Sequence, residues 1–527
     1  QPVSFSQEGE KNLLTDLAGS AVLTDCTEDF ILPDYLPEIR KLLWVDVKAT
    51  QNAPYVSPDR VSFSGSLYYT LLYTGSDGKL TAAPLRSDYE YSVGVKDAAP
   101  ESLYTEEQTE APVCRPQGPR KVNIRCKLHA LPHIWVKTPV QTSPEKLSSL
   151  PENELEKLTE YHPALDLCYG DSGEETTETV FILEGVQPES LDIKYATAEL
   201  LTESAVPEDG KMRYKGTLCL KMMLEKAPDA PFLLTKKVPV DCEVALTNCT
   251  PKSHVIAKGY TLSAEAELSE EDENTHILFR TVYVVKTLCL QNNETPFIKD
   301  VYSPVHQLIC SPKDTSFFTY LGSYQRNYTL TGAGKPTLGD LDGENTDTQM
   351  LDAKCVFQNV EAKIENNACL FTGDVKALVS LINYGEDGSY RVQPGELVFP
   401  LRIRADLSAA PEEDDVLLYR LDPVCAEATF EKGDLSVKCE AALLLYVLRK
   451  SSCTVPDNIT VSEEEKTEKS GDIRIFYPTS SDSLWSVGKK YRMPLSEILA
   501  VNQMDAPEKP LSSPESLDGY LWLLIES

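Results

Sequence analysis

A glycine followed by a strand-like segment occurs three times in this chain of 527 residues. The three segments are Val61–Tyr73, Met212–Leu224 and Cys369–Leu381. After each glycine, apolar residues occupy every second position, which predicts a half-buried β-strand. The glycines are Gly65, Gly216 and Gly373, 151 and 157 residues apart. A repeat of this length is a domain rather than one turn of a solenoid, so we predict three related domains.

Turn-forming residues support a β-rich fold. A turn precedes each repeated strand, at Ser57–Arg60, Pro207–Lys211 and Glu365–Asn367. The chain has 35 prolines, which oppose long helices. Pro, Gly, Asn and Asp also interrupt the apolar segments about every ten residues. We therefore predict a mainly β protein with tandem β domains at residues 1–150, 175–305 and 315–453.

The last part of the sequence differs from the repeats. Residues 454–471 are polar, acidic and without periodicity, which is typical of a solvated linker. Residues 472–527 predict a strand, two helices and a second strand. Asp482 or Ser483 can cap the first helix, and Pro494 suits the start of the second. A small βααβ domain is therefore predicted to follow the three β domains.

The charge of the chain excludes several kinds of partner. With 82 acidic and 50 basic residues, the formal net charge is −32. Such a surface repels phosphate backbones, so we expect no nucleic acid partner. No apolar run reaches the roughly 18 residues of a membrane helix, and the longest, Ala441–Leu448, predicts a buried strand. We therefore expect no membrane span, and the lack of a signal-peptide pattern favours a protein that stays inside the cell.

The fourteen cysteines are predicted to be reduced. They form no Cys-x-x-Cys motif, and none lies beside a histidine at metal-binding spacing. Cys219, Cys289 and Cys439 lie inside apolar strand patterns, where a thiol behaves as a small buried hydrophobic group. The pattern favours structural thiols in a reducing compartment, with no metal and no other cofactor.

Two short motifs resemble catalytic sequences, and we interpret both as turns. Gly170–Gly173 reads Gly-Asp-Ser-Gly, as around the nucleophile of a serine protease, but two glutamates follow it in a polar stretch. Gly332–Thr337 resembles part of a phosphate-binding loop, but Pro336 stands where Ser or Thr is required. Because the sequence assembles no nucleophile, base and oxyanion site, we predict a protein that is not an enzyme.

The C-terminal segment resembles the LysM domain family. Residues 481–488 read Ser-Asp-Ser-Leu-Trp-Ser-Val-Gly and match the family's Gly-Asp-Thr-Leu-Trp-x-Ile-Ala. Lys489, Lys490, Tyr491 and Asn502 match later positions of the family pattern. The resemblance implies a shallow groove between the loop after the first strand and the loop after the second helix. In LysM domains this groove typically binds N-acetylglucosamine polymers such as peptidoglycan.

Eight residues correspond to the two sides of that groove. They are Ser480, Ser481, Asp482, Ser483, Asn502, Gln503, Met504 and Asp505. Ser481 replaces the glycine usual in the family, which restricts the dihedral angles of the turn. Met493 and Met504 add an adaptable apolar surface nearby. We therefore expect the groove to bind a protein in preference to a sugar.

The first repeat resembles the SPOCS domain of Gram-positive endospore formers, through Asp29–Leu42, Tyr73–Lys79 and Arg120–Asn123. SPOCS repeats followed by one LysM domain are typical of SipL-type spore coat morphogenetic proteins of clostridia. The resemblance implies a scaffold of the spore coat, in the mother-cell cytoplasm at the forespore surface, that binds the coat ATPase SpoIVA. The segment Pro33–Pro37 is a candidate partner contact. The alternative is a cell-wall protein whose LysM domain recognises peptidoglycan.

Overall fold

A computed structural model describes most of the chain. The described residues are 2–3, 10–18, 22–96, 103–141, 154–226, 229–271, 274–338, 348–365, 367–385, 390–407, 411–412, 414–462, 473–503, 517 and 523–526. As predicted, the fold is mainly β, with long antiparallel strands and two short α-helices in these residues.

Strand pairing groups the chain into three consecutive units, each made of two antiparallel sheets. Strand β1 (Pro2–Val3) precedes unit 1, which spans residues 10–141. The strands of unit 1 are β2 (Glu10–Ala18), β3 (Val22–Ile31), β4 (Ile39–Gln51), β5 (Tyr55–Ser57), β6 (Arg60–Gly75), β7 (Leu80–Gly94), β8 (Leu103–Thr109), β9 (Val113–Pro116) and β10 (Lys121–Gln141). Sheet 1a contains β4, β5, β6 and β7, and sheet 1b contains β2, β3, β8, β9 and β10.

Unit 2 spans residues 154–302 and repeats this arrangement. Its strands are β11 (Glu156–Asp171), β12 (Glu175–Leu183), β13 (Leu191–Glu208), β14 (Lys211–Lys226), β15 (Phe232–Ala245), β16 (His254–Glu271) and β17 (Asn274–Tyr302). Sheet 2a is formed by β13, β14 and β15, with β14 in the middle. Sheet 2b is formed by β11, β12 and β16, all of which pair with the long strand β17.

Unit 3 spans residues 308–461. Its strands are β18 (Leu308–Gly334), β19 (Thr337–Leu338), β20 (Thr348–Glu365), β21 (Ala368–Tyr384), β22 (Tyr390–Asp406), β23 (Val416–Glu431) and β24 (Asp434–Val461). Sheet 3a has the order β19-β22-β21-β20. In sheet 3b the strands β18 and β23 pair with β24, and β1 joins the end of β24.

Each unit is a sandwich whose two sheets enclose an apolar core. The repeated segments form β6, β14 and β21, and their alternation directs every second side chain into that core, as the sequence predicts. In unit 1 the core joins Phe63 and Leu71 of β6 to Ile124 and Leu128 of β10. Equivalent cores join β14 to β17 and β21 to β24. The three repeats therefore correspond to the same strand of the same sandwich.

The repeated glycines lie where the neighbouring strand comes too close for a side chain. A Cβ atom on Gly216 would lie 2.8 Å from the carbonyl oxygen of Leu201, and one on Gly373 would lie 2.8 Å from that of Gln358. A backbone carbonyl blocks Gly65 in the same way. In units 2 and 3 the pairing register shifts beside these positions. The glycine therefore recurs because a backbone carbonyl of the adjacent strand comes close to it, and in units 2 and 3 a bulge brings that carbonyl near.

The three units pack around a common centre. Sheets 1b, 2b and 3b meet in one apolar cluster, which includes Trp135, Leu288 and Tyr446. Sheets 1a, 2a and 3a meet in a second cluster, which includes Leu72, Met223 and Ile382. Burying one large apolar side chain contributes about 2 kcal/mol. Contacts between units are therefore a substantial part of what stabilises the fold.

The C-terminal module has the predicted βααβ order. Its elements are β25 (Ile473–Phe476), α1 (Leu484–Tyr491), α2 (Leu495–Val501) and β26 (Leu523–Glu526). Strands β25 and β26 pair antiparallel. Ser483 caps α1, because its hydroxyl accepts the Ser486 N–H at 3.1 Å while the Ser486 hydroxyl accepts the Ser483 N–H at 2.9 Å. Pro494 precedes α2, as expected.

The strand pairing places the boundaries of the units and of the linker at other residues than the sequence predicts. Strand β11 begins at Glu156 and pairs with β17, although the second domain is predicted to begin at residue 175. Strand β18 begins at Leu308, before the predicted start of the third domain. The linker prediction is wrong for residues 454–461, because β24 continues to Val461 and pairs with β18 there. Backbone pairing holds this polar end of the strand, so hydropathy does not reveal it. Residues 463–472 lie outside the described part.

Candidate functional site

One side of the predicted groove is the turn between β25 and α1. Ser480 and Ser481 are exposed in this turn. Asp482 Oδ2 accepts hydrogen bonds from the Thr479 N–H at 2.8 Å and from the Thr479 hydroxyl at 2.7 Å. These bonds lower the pKa of the Asp482 carboxyl. Asp482 and the helix cap Ser483 therefore hold the shape of the turn, whereas the two preceding serines face solvent.

The other side of the predicted groove begins at Asn502. Its amide nitrogen donates to the carbonyl oxygens of Ile498, at 2.8 Å, and Leu524, at 2.9 Å. Its amide oxygen accepts the Leu524 N–H at 2.7 Å. Asn502 therefore fastens the end of α2 to β26. Gln503 is exposed, with a left-handed backbone at φ 54°.

Two methionines were expected to add an apolar surface beside the groove. Met493 is buried in the core of the module, so this expectation is wrong for that residue. The helices are short, and the module needs the methionine to fill its interior. Met504 and Asp505 lie outside the described residues.

Helix α1 of the module lies against unit 2. The Trp485 indole N–H donates to Asp300 at 2.9 Å, and the Lys489 ammonium pairs with the same carboxylate at 2.6 Å. The Tyr302 hydroxyl donates to the Met493 carbonyl oxygen at 2.8 Å. The Tyr302 ring packs edge-on against Trp485, with 4.9 Å between ring centroids. The helical side of the module is therefore covered by the end of β17.

The opposite side of the module is open to solvent. Along β25 and the residue after it, Ile473, Ile475 and Tyr477 point to one face and are 67%, 57% and 69% exposed. Phe476 points to the other face, where it packs edge-on against Tyr491. We call these three exposed side chains the β25 face. Three exposed apolar groups aligned in this way form a candidate surface for a partner.

A second exposed apolar side chain lies in unit 1, in the segment Pro33–Pro37. The Arg120 guanidinium donates to the carbonyl oxygens of Pro33, at 3.1 Å, and Leu36, at 2.8 Å. These bonds fix the turn. Tyr35 lies in it and is 80% exposed. The segment therefore presents an aromatic ring on a well-supported backbone.

A cavity of about 820 Å³ that is open to solvent lies at the junction of the three units. Strands β4 and β8, β13, β14 and β16, and β20 and β23 contribute to its wall. The basic residues in the wall are Lys48, Lys221, Lys236, Lys237, Lys258, Lys286, Lys354 and Arg420. The acidic residues are Asp46, Glu107, Glu110, Asp171, Glu174, Glu199, Asp352, Asp422 and Glu427. The wall is therefore nearly neutral, although the chain as a whole is strongly acidic.

Ion pairs in this wall connect the units in a closed ring. The pairs are Lys48–Glu199 between units 1 and 2 at 3.5 Å, Lys221–Asp352 between units 2 and 3 at 2.6 Å, and Lys354–Asp46 between units 3 and 1. Half-buried pairs of this kind specify which surfaces meet, because breaking one leaves a charge without its partner. The charges in the cavity wall thus help to fix the arrangement of the units.

A denser charge cluster surrounds Tyr260. The cationic groups of Lys258, Lys286 and Arg420 lie 5.1 to 5.5 Å from the centre of its ring. Asp422 forms ion pairs with Lys258 and, at 2.7 Å, with Arg420. Burial disfavours the charged carboxylate, but the two cations outweigh burial and lower the pKa of Asp422 to about 2. Burial also lowers the pKa of Lys286.

In the part of the cavity wall that unit 1 contributes, Glu107 connects the two sheets of the sandwich. Its carboxylate accepts hydrogen bonds from the hydroxyls of Tyr89 and Tyr91, at 2.7 Å for Tyr91. Burial raises the pKa of Glu107, and burial together with Glu107 raises the pKa of both tyrosines. The carboxylate is thus engaged in holding β7 against β8.

The sequence does not reveal this cavity. Asp46 and Lys48 alternate along β4 with Val45 and Val47, so the valines reveal a strand while the charged residues look like its solvated face. Charged residues also occupy the faces of β13 and β20 that point away from the cores of their units. A signal was therefore present, but only the packing of three units turns those solvent-like faces towards each other.

The two motifs interpreted as turns have structural roles. The turn interpretation is wrong for Gly332–Gly334, which belong to β18 and pair with β24. In the other motif, Gly170 and Asp171 end β11, and Ser172 and Gly173 connect it to β12. Ser172 follows β11, and its hydroxyl accepts the Val285 N–H at 3.0 Å and donates to the Gly173 carbonyl at 2.7 Å. Within the described ranges, no three His, Cys, Asp or Glu residues are grouped so that they could hold a metal ion. Neither described helix is long and apolar enough to cross a membrane.

Comparisons of the chain with protein-family models, with curated proteins and with solved structures find no match. The resemblances to the LysM and SPOCS families therefore rest on the residues quoted above. Function has to be inferred from those residues and from the geometry of the β25 face and the cavity.

Proposed function

We propose that this chain is a non-enzymatic scaffold of the spore envelope, acting in the mother-cell cytoplasm at the forespore surface. In this proposal the three units are SPOCS-like domains and the C-terminal module is a LysM domain. The partner is the coat ATPase, a SpoIVA-like protein, which the sequence resemblance implies. The exposed β25 face is the observation that carries the proposal.

The β25 face is suited to a protein partner. Ile473, Ile475 and Tyr477 are aligned and apolar, so an interface that covers them gains free energy by removing apolar surface from water. A sugar in a shallow groove needs free hydrogen-bonding groups instead. The side chains of Asp482 and Asn502 already hydrogen-bond within the module. These observations favour protein over glycan recognition.

The contacts of the module with unit 2 also suit a scaffold. Because Asp300 binds both Trp485 and Lys489, the β25 face is presented in a defined direction relative to the three units. The turn that carries Tyr35 offers a separate contact on unit 1. Two contacts on one supported body strengthen binding to a large partner more than either contact alone.

Binding of the full chain to the coat ATPase of the same organism, measured by interferometry, tests this proposal. The double variant Ile475→Thr with Tyr477→Ser removes apolar surface, keeps a strand-forming residue in β25 and places the serine after the end of the strand. We expect it to weaken binding at least tenfold, about 1.4 kcal/mol. The matched control is Val180→Thr with Ile182→Thr, which removes an exposed apolar pair from β12. We expect the control to change binding less than twofold.

Purified peptidoglycan and chitin oligomers are tested in parallel with the ATPase. Tight binding of these sugars without binding of the ATPase would contradict the proposal and favour the cell-wall alternative. Equal weakening by the two double variants would show that the β25 face has no special role. Circular dichroism confirms that each variant is folded before binding is compared.

A further inference from the structure

Two cysteines from different units meet in the wall of the central cavity. Cys219 belongs to β14 of unit 2 and Cys425 to β23 of unit 3, and both line the cavity. All fourteen cysteines are free thiols in the structure. The two side chains interact directly, since each has the largest effect on the pKa of the other. The two thiols are therefore within reach of each other across the boundary between two units.

The environment of Cys219 differs from the sequence prediction. Its neighbours Leu218 and Leu220 point into the core of unit 2, whereas Cys219 points the opposite way and is only half-buried. The prediction of a buried structural thiol is therefore wrong for this residue, because the second face of β14 lines a cavity. Cys289 and Cys439 are buried, as predicted.

An adjacent ion pair holds the two strands side by side. Cys219 lies opposite Lys237 in the pairing of β14 with β15. Glu427 lies two residues beyond Cys425 and so on the same face of β23. The Lys237 ammonium pairs with the Glu427 carboxylate at 3.5 Å. The approach of the two cysteines is thus supported by a second contact between the same strands.

We propose that Cys219 and Cys425 form a reversible disulfide that joins unit 2 to unit 3, with a hydroperoxide as the oxidant. This inference concerns the cavity and is independent of the function proposed for the β25 face. A disulfide here would add a covalent link between two units that are joined by the backbone only between Tyr302 and Leu308.

The reaction balances with one hydrogen peroxide per disulfide. The Cys219 thiolate attacks one peroxide oxygen and the O–O bond breaks, which gives a sulfenic acid on Cys219 and a hydroxide. This hydroxide takes up the proton that the Cys219 thiol lost when it ionised and so becomes one water. The Cys425 sulfur then attacks the Cys219 sulfur, the S–O bond breaks, and the departing hydroxide takes the Cys425 proton as a second water. The two thiols lose two electrons, which reduce the peroxide. A dithiol reductant reverses the bond by exchange.

The local environment determines which cysteine reacts first. The contact with Cys425 and the nearby ammonium of Lys237 lower the pKa of Cys219, against the effect of burial. The same contact, together with burial, raises the pKa of Cys425. Because Lys237 lies opposite Cys219 in the pairing of β14 with β15, its ammonium favours a thiolate on Cys219, which makes Cys219 the attacking residue and Cys425 the resolving one.

A second cysteine pair provides an internal control. Cys355 and Cys439 also interact directly, and both are buried in the core of unit 3, although Cys355 borders the same cavity. Cys219 is only half-buried, whereas Cys355 is 3% and Cys439 0% exposed, so a small oxidant reaches Cys219 more readily. We therefore expect the two pairs to differ in their rate of oxidation and not in how close their two thiols are to each other.

The experiment treats the reduced, folded full chain with hydrogen peroxide, blocks remaining thiols with N-ethylmaleimide and analyses tryptic peptides by mass spectrometry. Trypsin places Cys219 in the peptide Gly216–Lys221 and Cys425 in Leu421–Lys432, each with a single cysteine. We expect a link between these two peptides that dithiothreitol removes. It should form at least tenfold faster than a link between the peptides of Cys355 and Cys439.

Variants test the order of attack. In Cys425→Ser, dimedone should trap a sulfenic acid on Cys219, whereas Cys219→Ser should give no adduct on Cys425. Cys453→Ser, a half-buried cysteine outside the cavity wall, should keep the 219–425 link. The proposal is overturned if the folded unmodified chain forms no such link, if the two pairs link at equal rates, or if dimedone marks Cys425 instead. The link in the unmodified chain requires no variant, so a variant that fails to fold does not prevent the test.

Discussion

Asp422 shows how a buried charge is tolerated where the units meet. The carboxylate lies between Arg420 of its own strand and Lys258 of unit 2. These cations keep it ionised despite burial, with a pKa of about 2 in place of the ordinary 3.8. Because this pKa is lowered, Asp422 stabilises the folded chain at pH values above 3.8. That contribution is lost as the pH falls towards 2.

At the residue scale we expect Asp422→Asn to lower the free energy of unfolding at pH 7 by about 3 kcal/mol, since it leaves two cations without their partner. The deficit should shrink by about 1 kcal/mol at pH 3, because the parent chain is then losing the same interaction. Urea unfolding at both pH values measures this. Asp59→Asn, at an exposed turn, serves as the control. A deficit that is the same at both pH values would contradict the role assigned to the carboxylate.

At the scale of elements, the C-terminal module depends on side chains that the sequence marked as binding residues. Ser483 begins α1, and Asn502 joins α2 to β26. Asp482 shapes the turn before the helix. Substitutions at these positions therefore change the module itself, and a loss of binding that follows from them does not identify a contact.

We expect Asn502→Ala to destabilise the module by about 2 kcal/mol, because one hydrogen bond to its carboxamide is worth about 1 kcal/mol and backbone groups of Leu524 lose their partner. Hydrogen exchange of the Leu524 amide is the direct measurement and should become faster. Gln503→Asn, an exposed neighbour that tolerates the left-handed backbone, should leave exchange unchanged. Unchanged protection of Leu524 in Asn502→Ala would contradict this structural role.

At the scale of the whole molecule, the units and the module are joined by contacts between residues far apart in the chain. Three ion pairs connect the units around the cavity. Asp300 and Tyr302 of unit 2 hold α1 through Trp485, Lys489 and the Met493 carbonyl. The module is therefore expected to stay bound even when its covalent connection is cut.

A specific protease site inserted after Glu465 tests this expectation. After cleavage, the C-terminal piece should co-elute with the remainder in size-exclusion chromatography, because the contacts of α1 hold it. The double variant Asp300→Ala with Tyr302→Phe should release the piece, whereas Asp314→Ala, an exposed acidic residue of β18, should not. Separation of the piece from the otherwise unmodified chain would show that α1 does not hold the module.

Much of the local structure could be predicted from sequence. The alternation after Gly65, Gly216 and Gly373 predicted three strands, which are inner strands of sheets 1a, 2a and 3a. The run Ala441–Leu448 is buried within β24, as predicted. The order of elements in the module also agrees. These features depend on residues within about ten positions of each other, where the period of two and the preferences of caps and turns act directly.

Only the tertiary structure shows which strand faces pack against each other and which line the cavity. The sequence showed that Cys219 and Lys48 lie on strands, but not that the second faces of those strands would enclose a cavity. It showed a helix with Trp485, but not that Asp300 would receive its indole N–H. The physical reason is that alternation records which face of a strand is apolar. Alternation does not show which distant, half-polar face packs against that strand. The shape and charge of the three assembled units determine this packing.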